Sequence, residues 1–198
     1  MILIADSGAT KTDWRFIDTD KKIHQYSCQG ISPYFFSTEQ IVDVLKSELV
    51  MQLMFDINHP KLEVFYYGTG CSVVDKVELV KQALQTVFTK ATIEVNSDLL
   101  GAARALCGKS AGIAAILGTG ANTCYYDGIN IIENTASLGF VLGDEGSGAH
   151  IGKTFIQAYL NKELPATLAQ NFYERYQLDE AAILDAVYKQ PMPSRFLA

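Results

Sequence analysis

Four short stretches of this sequence hold the residue types from which phosphate and sugar chemistry is built. The first is Asp6-Ser7-Gly8-Ala9-Thr10-Lys11-Thr12-Asp13. Glycine there lets backbone amides approach an anion with no side chain in the way. Gly8, Thr10, Lys11 and Thr12 are thus placed to cradle a terminal phosphate. Asp6, just outside, suits a hydrated Mg²⁺, an ion that usually keeps several of its waters. The spacing GxxxxGK[ST] is absent, so this is not a Walker loop, and a Gly/Thr turn of this kind also makes an ordinary hairpin. The second stretch, Gly118-Thr119-Gly120-Ala121-Asn122-Thr123, is equally ambiguous alone. Two such turns facing each other across a cleft would clamp a nucleotide tail, and phosphoryl transfer depends largely on such positioning and charge neutralisation. The third, Gly139 to Gly148, sets Asp144 and Glu145 in a glycine-rich loop that opens a helix. Those acids either cap the helix or accept hydrogen bonds from sugar hydroxyls. The fourth is Asn96-Ser97-Asp98. An acid at a helix N-terminus is favoured as the carboxylate, which suits a base that takes a hydroxyl proton, although Asp98 could equally be a second cap beside Ser97.

The elements that must position these residues follow from periodicity. Met1 to Ala5, Trp14 to Asp18 and Lys22 to Cys28 read as a three-stranded meander, ended by the loop signal at Pro33. Thr38 to Phe55 repeats Ile41, Val42, Val44, Leu45, Leu49 and Leu53 at helical spacing. Strand Leu62–Tyr67, helix Val74–Phe88 and strand Thr92–Val95 then imply parallel strands covered by helices. Ser97 opens a helix that stops near Gly108. Gly112–Leu117, the second Gly/Thr turn, and a hairpin from Cys124–Tyr126 to Ile129–Ile132 repeat the order of parts at the start of the chain. From Glu145 onward about three helical segments are expected, broken near Pro165 and Gln177. The pattern is therefore α/β in two related lobes, 1–110 and 111–198, with the boundary near Lys109–Ala111.

The chain has 198 residues, 16 Lys and Arg against 22 Asp and Glu, and a formal charge of −6. That balance argues against a nucleic-acid grip made of basic surface. At 48% hydrophobic and 19% charged residues the composition is that of a packed globular protein. No apolar run approaches the ~20 residues that span a bilayer, and the start MILIADSG has no leader pattern, so an unexported, cytoplasmic protein is expected. Cys28, Cys71, Cys107 and Cys124 are scattered with no CxxC pair and read as isolated thiols of a reducing compartment. His24, His59 and His150 have no acid or nucleophile close in sequence and read as structural.

Taken together, the four motifs, in this order over residues 2 to 152, resemble those of the N-acetylglucosamine kinases and the related BadF/BadG/BcrA/BcrD ATPases of the actin, Hsp70 and sugar-kinase superfamily. The resemblance implies a two-lobe actin-like, ribonuclease H-like fold with mixed sheets flanked by helices. Family members generally run on to an adenosine-binding loop, so the second lobe is expected to be incomplete here. ATP and Mg²⁺ are implied as cofactors and a small sugar as substrate; a homodimer is compatible with these features. Gly8, Thr10 and Thr12 match the first phosphate loop, Asp6 the acid associated with magnesium, and Gly118, Thr119 and Gly120 the second loop. Asp98 matches the base that deprotonates the sugar 6-hydroxyl, while Asn122, Gly139 and Asp144 match positions that contact the sugar. Two positions depart from the family pattern, both on the sugar side: Tyr34 falls where an asparagine is usual, and Leu138 replaces an aromatic residue before Gly139. An ATPase that activates a dehydratase is a second expectation, though it calls for closely placed cluster cysteines. A sugar or nucleotide sensor without turnover is a third.

Overall fold

The computed structural model describes residues 1–8, 10–136 and 138–198. The chain divides into two compact units, residues 1–114 with 125–132, and 115–124 with 133–198.

In the first unit the opening meander forms as its alternation dictates: β1 (Ile2–Ser7), β2 (Lys11–Ile17) and β3 (Ile23–Gln29) pair antiparallel in sequence order. β4 (Glu63–Gly68) and β5 (Thr92–Ser97) add in parallel to β1, giving a five-stranded mixed sheet of order β3-β2-β1-β4-β5. Successive side chains alternate between its faces. One face carries Leu3, Ala5, Trp14, Phe16, Val64, Tyr66 and Val95 into the core. It is closed by Ile41, Val44, Leu45 and Leu49 of the first helical stretch and by Val80, Ala83, Leu84 and Val87 of α2 (Val74–Val87). Burying each such aliphatic side chain is worth about 1.5–3 kcal/mol against its exposure. This apolar face is what fixes the strand register, because a one-residue slip would turn it to solvent.

The periodic stretch after Pro33 is not a single regular helix. Ser37 caps α1 (Thr38–Val44) through a reciprocal box with Gln40, and the chain then passes into a π-helical turn (Leu45–Leu49) and a 3₁₀ turn (Val50–Gln52). The reason lies in β3, the edge strand of the sheet. Glu48 accepts from the Gln29 amide at 2.7 Å, and Gln52 donates to the Ser27 carbonyl at 2.8 Å. The rewound turns bring both side chains to that edge, which would otherwise offer unpaired backbone groups.

α3 (Asp98–Cys107) starts directly at the end of β5, with the Ser97 hydroxyl accepting from the Leu100 amide. β6 (Gly112–Leu117), β7 (Ala121–Tyr126) and β8 (Ile131–Asn134) form a second sheet in sequence order, β8 beginning two residues later than its apolar pattern suggests. The short helix α4 (Gly139–Leu142) follows. Four helices, not three, complete the chain: α5 (Gly148–Leu160), α6 (Ala166–Tyr176), α7 (Glu180–Tyr188) and α8 (Pro193–Leu197). The extra one forms because Pro193 occupies a first-turn position, where its missing N–H costs nothing. Among the described residues no helix is long and apolar enough to cross a membrane.

Candidate functional site

The three parallel strands of the first unit end side by side. Ser7, Gly68 and Ser97 are register partners, and the Thr69 amide donates to the Ser7 carbonyl at 2.9 Å, tying the ends together. Open α/β sheets bind ligands outside the carboxyl ends of their strands. In this chain, those ends lead into Gly8, Thr69 and Asp98.

Asp98 is half-buried at the first position of α3. The Leu99 amide donates to its Oδ1 at 2.8 Å, the helix N-terminal stabilisation that the sequence leads one to expect. Burial nevertheless outweighs that bond, and the nearby charge of Asp6 adds to it, so the Asp98 pKa is pushed above the ordinary aspartate value. Asp6 is exposed on β1 and, among the described residues, neither acid forms an ion pair with Lys or Arg. Two carboxylates with no protein cation between them suit a hard divalent ion that keeps waters and takes its other ligands from phosphate oxygens. Among the described residues no group of three or more His, Cys, Asp or Glu side chains is gathered as a metal site, so the chemistry of Asp6 suits only an ion that keeps most of its ligands as water or phosphate oxygen.

The first Gly/Thr turn is anchored from beneath. Ser7 and Thr12 are fully buried and their hydroxyls lie 2.7 Å apart; Thr12 also donates to the Gln29 carbonyl at 3.1 Å. The Gly8 amide donates to Lys11 O at 3.0 Å, closing the turn, and the Gly30 amide donates to Thr10 O at 3.0 Å. The Gly8 amide and the Thr12 hydroxyl are thus engaged in building the loop. Thr10 and Lys11 are exposed on it, with Lys11 Nζ 2.7 Å from the Asp13 carboxylate.

Neighbouring side chains that the motifs do not point to complete the setting. Tyr66 Oη is buried in the neighbourhood of Ser7, without a close hydrogen-bond partner among the described residues, and burial pushes its phenol pKa up. Cys71 is likewise pushed up to about 12, by burial first and by the charge of Asp98, which keeps it an unreactive thiol. On the other sheet face Tyr67 stands in register between Asp6 and Asn96. The strand register reveals Tyr66 and Tyr67, and burial reveals Cys71; none of the four motifs contains them.

In the second unit the loop Gly118-Thr119-Gly120 is bound to the segment that opens α5. The amides of Gly148 and Ala149 donate to the carbonyls of Gly118 and Thr119 at 2.8 and 3.2 Å. Asp144 Oδ1 accepts from the Ala121 amide at 3.3 Å, and a Cβ at Gly120 would stand 3.0 Å from Asp144 Oδ2, so the carboxylate lies close against the loop backbone. Asn122 Oδ1 accepts from the Thr123 amide and the Thr135 hydroxyl at 2.9 and 3.2 Å. Gly139 starts α4 at φ 73°, next to the exposed Leu138. Asn122, Gly120 and Asp144 are therefore gathered in one unit, and Asp6, Gly8, Thr10, Lys11, Thr12 and Asp98 in the other.

The histidines need one correction. His24 does have an acid partner, Asp18, at 3.0 Å, because the turn between β2 and β3 folds residues six apart onto each other. His59 and His150 accept from the amides of Lys61 and Gly146 at 3.1 and 2.8 Å, local turn contacts that give neither a catalytic partner.

Comparison with known structures places this architecture. Over its whole length the chain aligns with a provisionally assigned N-acetylglucosamine kinase from Porphyromonas gingivalis, at 42% identity and a TM-score of 0.92, covering 69% of that chain. A second provisionally assigned N-acetylglucosamine kinase, from Chromobacterium violaceum, aligns over 99% of this chain and 70% of its own, at 17% identity and a TM-score of 0.68, a likeness of fold. No protein-family model and no curated protein sequence matches the chain. The fold is that of the actin-like ATPases, a mixed α/β architecture of sheets flanked by helices.

Proposed function

The chain belongs to the N-acetylglucosamine kinase-like family of the actin-like ATPase fold, and from that premise we propose that it transfers the terminal phosphoryl group of ATP to the 6-hydroxyl of an amino sugar, foremost N-acetylglucosamine. The observation that carries this reading is Asp98: a half-buried carboxylate of raised pKa, just past the end of a parallel strand and within the electrostatic reach of a second acid, Asp6. A base works best when its pKa lies nearer the operating pH, and burial moves Asp98 in that direction.

In this mechanism Asp98 accepts the proton of the sugar hydroxyl as its oxygen attacks the terminal phosphorus and the bond to the ADP oxygen breaks. Thr10 and Lys11 contact phosphate oxygens, while Gly8 leaves the approach open and Thr12 holds the loop through Ser7. Gly118, Thr119 and Gly120, of the second unit, are read as a second phosphate loop. Asn122, Gly139 and Asp144 contact the sugar. Asp6 would hold Mg²⁺, which when bound supplies charge neutralisation to the phosphoryl group in flight. Residues 1–110 are read as the lobe of the base and first loop, and 111–198 as that of the second loop and sugar contacts. A cytoplasmic setting agrees with the protonated, buried thiols Cys28 and Cys71.

The test is ADP release measured across a panel of hexoses and amino sugars, for wild type and Asp98→Asn. Turnover that depends on N-acetylglucosamine and is lost in Asp98→Asn is the expected result. Sugar-dependent turnover retained in the variant would show that the proton goes elsewhere.

A further inference from the structure

Behind Asp98 stands a polar assembly with no place in the reaction just described. Tyr67, on β4, lies on the sheet face opposite the core, in register with Asp6 on one side and Asn96 on the other. Its ring fills the space where Gly101 of α3 has no side chain: a Cβ there would stand 2.8 Å from Tyr67 Cγ and 2.9 Å from Tyr67 Cβ. Those atoms lie at the root of the side chain, so they cannot swing aside as a flexible tip would. From the next turn of α3, Arg104 Nη1 donates to Tyr67 Oη at 2.9 Å and to Glu94 Oε1 on β5 at 3.0 Å, with its guanidinium 5.8 Å from the centre of the Tyr67 ring. Asn96 Nδ2 donates to the same Glu94 oxygen at 2.7 Å.

We propose that Tyr67 is a positioning residue for phosphoryl transfer, holding α3 against β4 and β5 so that Asp98, three residues before Gly101, is aimed at the sugar hydroxyl. This inference rests on the reading of Asp98 as the base. The geometry supports a directional role over a stabilising one. Arg104 and Glu94 keep 38% and 45% of their side-chain surface in solvent, and ion pairs that exposed add little to stability. What the assembly does fix is direction: a close ring-to-backbone approach at Gly101 and a forked bond at Arg104 hold one helix at two successive turns. A carboxylate displaced by about 1 Å can lose up to about a hundredfold in rate while substrate binding is preserved.

The variants that test this are Tyr67→Phe, which keeps the ring against Gly101 and removes the Arg104 bond, and Gly101→Ala, which pushes α3 off the ring. With MgATP and N-acetylglucosamine, kcat is expected to fall about tenfold in each, with KM for both substrates within about twofold of wild type. Amide exchange at Leu99 and Leu100 should accelerate in parallel. Asp98→Asn serves as the control. If kcat is unchanged in Tyr67→Phe and Gly101→Ala while Asp98→Asn is inactive, the positioning role is overturned and the base assignment stands. Retained turnover in Asp98→Asn, or a wild type without sugar-dependent turnover, instead overturns the reading beneath it.

Discussion

Asp98 holds two opposed forces in one side chain: an amide of its own helix favours the carboxylate, while burial and the charge of Asp6 favour the acid, and the second pair wins. Its effect on stability follows by sign. Below the unfolded-state value of about 3.9 the group is neutral in both states and contributes nothing. As pH rises from there to the higher folded-state pKa, the unfolded chain ionises first, so stability falls; above that window the full penalty persists. Asp98→Asn is therefore expected to raise the urea midpoint at pH 7 and to change it less near pH 4, while abolishing turnover. An equal gain at both pH values would contradict a pKa raised in the fold. Thr12 makes the complementary case. Thr12→Val preserves shape but removes the 2.7 Å bond to the buried Ser7 hydroxyl, which among the described residues then keeps a long 3.4 Å bond to the Ile31 carbonyl, and this should cost about 1–3 kcal/mol in urea denaturation. The sequence places Thr12 in a phosphate motif; only the sheet register shows that its side chain faces the core.

At the scale of elements, α3 is the part on which function turns. Its start is legible in sequence, since Ser97 has the residue type and spacing of an N-cap and the structure shows the bond. Ser97→Ala should cost about 1 kcal/mol of stability and lower kcat with it, because the same turn carries Asp98. Its packing was not legible. A glycine inside a helix costs about 1 kcal/mol relative to alanine, so propensity alone would recommend Gly101→Ala as a stabilising change. The 2.8 Å approach to Tyr67 reverses that expectation, and thermal melting should show Gly101→Ala at or below wild type. The stretch after α1 teaches the same lesson in another form. Its apolar spacing announces a helix, but the change to π and 3₁₀ turns is set by Glu48 and Gln52 reaching the edge of β3, a strand some twenty residues away in sequence.

For the molecule as a whole the expected consequence is linkage. If the chain holds MgATP as proposed, ligand at a hundred times its Kd should add about 2.7 kcal/mol to the stability of the state that binds it. Chelating Mg²⁺ should remove most of that gain, and Asp6→Asn should weaken it in the same assay; an unchanged melting temperature with MgATP would count against nucleotide binding by this chain. The sequence by itself determined the local order of parts: the opening meander, the glycine-rich turns after β1 and β6, the cap that starts α3, and the motif series shared with sugar kinases. Those features depend on neighbours within a few residues, where alternation, glycine and capping residues leave few options. Tertiary structure alone decided which faces those parts present. It buried the hydroxyls of Ser7 and Thr12 beneath the turn, raised the Asp98 pKa by burial and by Asp6, and set Tyr67 against Gly101 and Arg104. Each of these joins residues brought together by strand register or helix packing, and burial and close approach are properties of the folded neighbourhood that no local pattern encodes.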